Sequence, residues 1–240
     1  MFKTVLANLL FPKRRDNQSF IVSFIGVPGV GKSTLSHRLR SNRMSRSILG
    51  SSSALKLVET LNIPVPLEYK QVFNFLTSYP EIKDSELCKL VLLKDIAARI
   101  VHRNIYIDES ILNYCPVHIL EDFYNKEPDL FKKFFKSTFV IALKDTPENI
   151  LKKVNKRIIE GKDKSGYYSH TEKENLAIVK NRVKEYEKKL VFLKSHIKVS
   201  EIQASLPLSV KVKTCKSMIK QFNKTLSKDF NARAKNVLDI

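Results

Sequence analysis

The stretch from Phe20 to Leu35, FIVSFIGVPGVGKSTL, constrains the fold more than any other part of the chain. Its first six residues are mostly apolar and rich in β-branched and aromatic side chains, as a buried strand requires. The next eight match every fixed position of G-x-x-x-x-G-K-[ST], a pattern that belongs between a strand and a helix. Glycines let such a loop curl around phosphates, and the following helix offers free N–H groups and the positive end of its dipole. The stretch therefore predicts a phosphate-binding loop in an α/β fold.

This loop supplies the first candidate binding residues. Lys32 would contact the β- and γ-phosphates of a nucleoside triphosphate, and the Ser33 hydroxyl would bind Mg²⁺ beside them. Three of the six glycines in the chain lie here, which disfavours the alternative of a glycine-rich turn with a chance Lys-Ser pair. The residues expected to bind the nucleotide are Gly26, Val27, Pro28, Gly29, Val30, Gly31, Lys32, Ser33 and Thr34.

Two carboxylates end a second strand pattern. Residues 104–110 have the sequence NIYIDES, in which an apolar strand is followed by Asp108, Glu109 and Ser110. In open α/β sheets, ligands bind beyond the carboxyl ends of the strands. We therefore expect Asp108 to bind Mg²⁺ together with Ser33, directly or through a water molecule. A helix cap formed by the Asp-Glu pair is the alternative.

A third strand pattern, Phe139 to Leu143, leads into the start of a helix. Thr146 suits the N-cap and Pro147 suits the first helical position. The helix should end at Gly161, where a polar segment follows. We expect a mobile basic flap over about residues 157–172, in which the guanidinium of Arg157 can bind two phosphate oxygens. For any one basic side chain there, a solvated helix face is the alternative.

The remaining patterns give an outline of the other elements. Helices are predicted from the phosphate loop to about residue 43, and over residues 85–103, 172–195 and 207–222. Residues 54–61 can be helix or strand, and no second strand is placed. A fifth strand is predicted at 196–199, with a loop at 200–206. The aromatic group Tyr69, Phe73, Phe75 and Tyr79 predicts core packing or, alternatively, a pocket wall for a ring-shaped acceptor.

The order of these elements resembles that of the nucleoside and nucleoside monophosphate kinases, a group of P-loop kinases. The resemblance covers about residues 20–222, through the phosphate loop, a strand ending in Asp-x-Ser, a strand followed by TPE and a basic helix, a flap, and a last strand with a proline-containing loop. It implies a P-loop NTPase fold, three-layer α/β/α with a parallel sheet and a flap (LID), that uses ATP and Mg²⁺. It also implies that Asp108 is the metal-directed acid, that Ser110 is the serine of the family, that Arg157 is a flap arginine and that residues 200–207 line the adenine.

One residue departs from the family pattern. Deoxynucleoside kinases carry Glu-Arg-Ser at this strand end and thymidylate kinases carry Asp-Arg-Tyr, whereas this chain has Glu109 in place of the arginine. A carboxylate there would repel a phosphate already on the acceptor by about 1–4 kcal/mol at ~4 Å. It could instead take a proton from a neutral hydroxyl. We therefore expect a hydroxyl acceptor on a nucleoside, sugar or glycan, with Glu109 as the base and Glu68 as its rival.

The net charge of +19 favours anionic partners. Nucleotides, nucleic acid, acidic glycans and an anionic membrane surface all fit, and a solvated lysine-rich surface is the alternative. Residues 1–15 combine apolar and basic side chains, so they predict either a helix packed on the domain or a peripheral membrane contact. The three cysteines, Cys88, Cys115 and Cys215, form no metal or disulfide pattern and fit a reducing, cytoplasmic setting. No apolar run is long enough to cross a membrane.

The sequence thus predicts an N-terminal helix or arm at 1–19, a kinase-like domain at 20–222 and a basic C-terminal helix or tail at 223–240. We expect an ATP- and Mg²⁺-dependent phosphotransferase that moves the γ-phosphoryl group to a hydroxyl, with Lys32, Asp108, Glu109 and Arg157 as the catalytic residues. A polynucleotide 5′-hydroxyl kinase is one alternative, since a basic surface can follow a nucleic acid backbone. A P-loop ATPase or switch is another.

Overall fold

The computed structural model describes residues 20–40, 49–101, 104–161 and 171–238. The predicted N-terminal arm lies outside these ranges. So do the residues beyond position 40 of the first predicted helix and residues 162–170, which make up most of the predicted flap.

Five parallel strands form the centre of the molecule. They are β1 (Ile21–Ile25), β2 (Leu49–Gly50), β3 (Ile105–Ile107), β4 (Thr138–Lys144) and β5 (Lys198–Gln203). Their order in the sheet is β2-β3-β1-β4-β5. All five residues of β1 are buried, and Ile21 is in register with Ile105 on one side and with Thr138 on the other. The strand that leads into the phosphate loop therefore occupies the middle of the sheet.

Eleven helices surround this sheet within the described ranges. They are α1 (Lys32–Arg40), α2 (Ser51–Thr60), α3 (Leu67–Thr77), α4 (Pro80–Lys83), α5 (Glu86–Ile100), α6 (Ile111–Tyr114), α7 (Val117–Lys126), α8 (Pro128–Phe135), α9 (Pro147–Ile159), α10 (Glu172–His196) and α11 (Leu208–Leu238). Helix α1 is the helix that follows the phosphate loop.

The helices cover both faces of the sheet, because side chains alternate along each strand. On one face, Ile21 and Ile25 of β1 pack into the larger core with α2, α3, α5, α7 and α8. On the other face, Val22 and Phe24 pack into a smaller core with α1 and α11. This arrangement of helices, parallel sheet and helices confirms the predicted three-layer α/β/α fold.

The helix ends follow local sequence signals. The Thr146 hydroxyl accepts a hydrogen bond from the N–H of Asn149 and Pro147 occupies the first helical position of α9, as predicted. Thr171 begins α10 with a reciprocal cap, in which it exchanges hydrogen bonds with Glu174. Gly161 follows α9 with φ of 64°, a conformation that glycine adopts without a steric penalty.

Several predicted boundaries needed correction. Residues 54–61 belong almost entirely to helix α2, and β2 is the two-residue segment that precedes it. The predicted strand at 196–199 and loop at 200–206 had the wrong bounds, because His196 ends α10 and β5 runs from Lys198 to Gln203. Most residues of β5 are polar and partly exposed, so this edge strand lacks an apolar run. Helix α11 continues past residue 222, so the predicted boundary there lies inside one helix.

The aromatic group on α3 and just after it packs against the core. Tyr69, Phe73, Phe75 and Tyr79 all contact the larger core, and the rings of Phe75 and Phe123 stack with centroids 4.9 Å apart. The three cysteines are buried and free. In the part of the chain that the structure describes, no helix is long and apolar enough to cross a membrane.

Candidate active site

The phosphate loop, residues 26–33, has a backbone that only glycine tolerates at its central turn. Gly29 has φ of 87°, a region that side chains with a Cβ rarely adopt. A Cβ added there would also lie 2.7 Å from Cγ2 of Val154 in α9. The loop therefore lies directly against α9 at Gly29, where a side chain would not fit.

Contacts from distant elements hold the start of the loop. The Asn113 side chain accepts a hydrogen bond from the N–H of Gly26 at 3.2 Å and donates one to the carbonyl of Phe24 at 3.1 Å. The hydroxyl of Tyr186 on α10 donates to the carbonyl of Ile25 at 3.2 Å. These three bonds fix the junction between β1 and the loop, so the loop is positioned by α6 and α10 as well as by its own sequence.

Lys32 lies within this loop and contacts its backbone. Its Nζ donates to the carbonyl of Gly26 at 2.7 Å and to that of Val27 at 3.4 Å. Burial lowers the pKa of Lys32 to about 8, while the nearby carboxylates of Glu109 and Asp108 act in the opposite direction. The ammonium is therefore close to both carboxylates that end β3.

A pocket of about 660 Å³ opens in front of the loop. Its size suits a nucleotide or another small molecule. Most of the predicted site residues line it, namely Gly26, Val27, Pro28, Gly29, Lys32, Ser33, Asp108, Glu109 and Arg157. Three predicted binding residues do not line it, namely Val30, which is buried in the smaller core, Gly31 and Thr34.

Asp108 lies at the carboxyl end of β3 and faces the pocket, with its side chain about one-fifth exposed. Its Oδ2 lies 3.9 Å from Nη2 of Arg40, at the end of α1. The same pocket contains the Ser33 hydroxyl, so an alcohol and a carboxylate, both suitable for Mg²⁺, share one cavity. The described residues contain no cluster of three or more metal-binding side chains. Mg²⁺ in nucleotide sites usually takes only one or two carboxylates besides phosphate oxygens.

A buried carboxylate fixes the chain just after Asp108 and Glu109. Oδ2 of Asp95 on α5 accepts hydrogen bonds from the Ser110 hydroxyl at 2.8 Å and from the N–H of Ile111 at 3.0 Å. Burial raises the pKa of Asp95, and the guanidinium of Arg99 one turn later opposes that change. Since Ile107 ends the strand on one side and Ser110 is held on the other, the two carboxylates between them lie on a short, fixed segment.

The two candidate bases lie in different places. Glu109 is exposed and lines the pocket. Glu68 lies on α3, outside the pocket lining, and its carboxylate is 3.3 Å from Nζ of Lys133. The structure therefore brings Glu109, and not Glu68, to the phosphate loop.

One face of α10 forms a wall of the pocket that sequence reasoning missed. It contributes Asn181, Arg182, Glu185, Tyr186 and Lys189. These positions are spaced by three or four residues, so they share one helix face. That spacing was visible in the sequence, but a long charged helix usually presents such a face to solvent. The end of α6 and the start of α7 also line the pocket, with Tyr114 and His118.

Comparisons with known proteins were made for the whole chain. No protein-family model matches the sequence, and a search of curated proteins found no match. Among solved structures, the chain is similar to deoxyadenosine kinase from M. mycoides with bound dCTP, with a TM-score of 0.47, 15% identity, and coverage of 84% of this chain and 99% of that one. The same kinase with products dCMP and a flexible dCDP bound gives a TM-score of 0.46, 16% identity, and coverage of 84% and 98%.

A gluconokinase from Sinorhizobium meliloti 1021 is also similar, with a TM-score of 0.40, 10% identity, and coverage of 92% of this chain and 99% of that one. The roles proposed below for individual residues rest on the pocket of this chain.

Proposed function

We propose that this protein is a phosphotransferase that moves the γ-phosphoryl group of ATP, with Mg²⁺, to a hydroxyl on a nucleoside, sugar or glycan. One observation carries the proposal: a single pocket contains the phosphate loop, Lys32, Ser33 and both carboxylates that follow β3. A phosphate cradle alone would fit many nucleotide-binding proteins. An exposed carboxylate beside it adds a group that can act on a hydroxyl.

Each residue has a distinct role in this proposal. The loop N–H groups and Lys32 hold the phosphates, and Ser33 and Asp108 hold Mg²⁺, which neutralises phosphate charge when it is bound. Glu109 accepts the proton of the acceptor hydroxyl while the oxygen of that hydroxyl forms a bond to the γ-phosphorus. The bond between that phosphorus and the β,γ-bridging oxygen breaks, and ADP leaves. We assign the stabilisation of the transferring group to two guanidinium groups that line the pocket, those of Arg157 and of Arg182 on α10.

The test is nucleotide binding and phosphoryl transfer by the wild type and by Lys32→Ala. We expect a non-hydrolysable ATP analogue with Mg²⁺ to raise the thermal unfolding temperature of the wild type and not that of the variant. Phosphoryl transfer by the variant should fall by about 10³-fold or more, because the positive charge that would stabilise the transferring phosphate is lost. Lys211→Ala is the matched control, since Nζ of Lys211 also donates to a backbone carbonyl, that of Ala204, but lies outside the pocket.

Wild-type turnover in a folded Lys32→Ala protein would overturn the nucleotide assignment. The same assay separates the alternatives. Hydrolysis of ATP that stays fast without any acceptor would favour an ATPase or switch. An acceptor affinity that falls steeply with salt would favour a polynucleotide 5′-hydroxyl kinase, because such binding releases counterions from the phosphate backbone.

A further inference from the structure

Lys189 is a second lysine in the pocket wall, on α10. Its Nζ donates to the carbonyl of Leu112 at 3.0 Å and to that of Asn113 at 3.4 Å. Both carbonyls belong to α6, and the side chain of Asn113 in turn accepts a hydrogen bond from the N–H of Gly26. Asn113 therefore links Lys189 to the start of the phosphate loop through hydrogen bonds.

The two pocket lysines differ in their counter-charges. Lys32 lies near the carboxylates of Glu109 and Asp108. No carboxylate among the described residues lies within ion-pair distance of Lys189, and Glu185, one turn earlier on α10, pairs with Lys188 at 2.8 Å. The acidic group that acts on Lys189 is the Cys115 thiol, and burial raises the pKa of that thiol to about 12, so it is neutral at physiological pH.

Burial lowers the pKa of Lys189 to about 8, so its amine is still mostly protonated at pH 7. Lys189 is partly buried, and withdrawing a cation from water without a counter-ion is costly, so an anion that binds beside it recovers part of that cost. An ammonium has three N–H donors, and the two carbonyls of α6 use two of them. One donor and one uncompensated charge remain for a ligand in the pocket.

We propose that Lys189 forms an anion subsite for the acceptor, which would therefore carry a carboxylate or phosphate group in addition to the hydroxyl that is phosphorylated. This inference rests on the proposed function and narrows it to anionic hydroxyl compounds, such as a sugar acid or a sugar phosphate. Glu109 would repel an anionic group placed beside it, so the acceptor is oriented with its hydroxyl towards Glu109 and its anionic group towards Lys189.

The test measures the affinity of the protein for a second anion when the nucleotide is already bound. Protein saturated with Mg²⁺ and a non-hydrolysable ATP analogue is titrated with inorganic phosphate in one arm and with acetate in the other, by isothermal calorimetry. The wild type should bind one of these anions, and the arm that binds identifies the anionic group. Lys189→Gln, which keeps an N–H donor for the α6 carbonyls, should weaken this binding about 10- to 100-fold, as expected for a lost hydrogen bond to a charged group.

Lys188→Gln is the matched control, because Lys188 is the neighbouring, exposed lysine outside the pocket lining. It should bind the second anion as the wild type does. Lys189→Met removes the charge at similar volume and serves if Lys189→Gln does not fold. Two outcomes would overturn the subsite alone. In one, the wild type binds the nucleotide but no second anion. In the other, the wild type and either Lys189 variant bind the anion with equal affinity. A wild type that binds no nucleotide would overturn the proposed function as well.

Discussion

The two sides of the pocket are built in different ways. The phosphate loop is one contiguous stretch, residues 26–33, whose glycines and lysine follow directly from β1. The other walls come from the end of β3, α6, α7, α9 and α10, which are far apart in the sequence. The chemical groups of the loop are therefore encoded locally, whereas those of the other walls come together only once the chain has folded.

This difference predicts different mutational behaviour. A change in the loop should impair transfer to every acceptor, because all reactions share the nucleotide. A change at a wall residue that makes no hydrogen bond to the loop should affect the chemical step, the metal or the choice of acceptor, and leave nucleotide affinity nearly intact. The following variants test that separation.

Glu109→Gln should give the largest effect of the wall variants. It keeps size and hydrogen bonding but removes the base, so kcat should fall roughly 10²–10⁴-fold with little change in nucleotide affinity. Steady-state kinetics and nucleotide titration measure the two quantities. Glu68→Gln is the control, because Glu68 lies outside the pocket lining beside Lys133, and its kcat should be unchanged. Full kcat in Glu109→Gln would remove the main support for a hydroxyl acceptor.

Asp108→Asn tests the metal. We expect activity to fall roughly 10²–10³-fold and to require more Mg²⁺, because an amide oxygen is a weaker ligand than a carboxylate. Nucleotide binding measured without metal should be largely retained. Asp145→Asn is the control, since Asp145 follows the neighbouring strand β4 but is held by Lys153 and does not line the pocket. An unchanged Mg²⁺ dependence in Asp108→Asn would contradict the metal assignment.

Asn113→Ala tests the link between the two sides. It removes the bonds to Gly26 and Phe24, so the free energy of unfolding should fall by about 1–3 kcal/mol, and nucleotide affinity should weaken with it. Urea unfolding and nucleotide titration measure these effects. Tyr186→Phe, which removes a single hydrogen bond to the same junction, should cost about 1 kcal/mol. If Asn113→Ala keeps wild-type nucleotide affinity, the loop does not depend on α6 for its conformation.

The last prediction concerns the pH dependence of stability. The unfolded chain holds the Lys189 proton up to its ordinary pKa of 10.5, whereas the folded protein releases it at about 8. Between these values the unfolded state binds more protons, so stability rises with pH. The free energy of unfolding of the wild type relative to Lys189→Gln should therefore rise by roughly 2 kcal/mol from pH 7 to pH 10. Urea unfolding at several pH values measures it, and parallel curves would contradict it.

The elements predicted correctly are those with local signals. The phosphate loop, β3, β4 and the capped start of α9 each combine an apolar run with a specific turn or cap residue. β2 could not be placed, because two residues show no periodicity, and its position is determined by pairing with β3. β5 was misplaced because the polar side chains of an edge strand resemble those of a loop.

The candidate site divides in the same way. Lys32, Ser33 and Asp108 could be predicted, because each follows an apolar strand at a spacing that has a chemical meaning. Lys189 and Asn113 could not, because their importance comes from contacts between α6, α10 and the loop. A lysine on a charged helix has no distinguishing local pattern. Only the tertiary fold places it in the pocket wall, with no carboxylate of the described residues within ion-pair distance.

The central position of β1 also has a consequence for biosynthesis. Ile21 pairs with Ile105 and Thr138, so the strand that carries the phosphate loop has no partner within its own part of the chain. At ~5–20 residues per second, about 6 to 24 s separate the synthesis of β1 from that of β4. During that interval an apolar strand without neighbours is open to aggregation and to chaperones. The loop is thus translated early, yet both neighbouring strands of β1 are complete only after more than half of the chain has emerged.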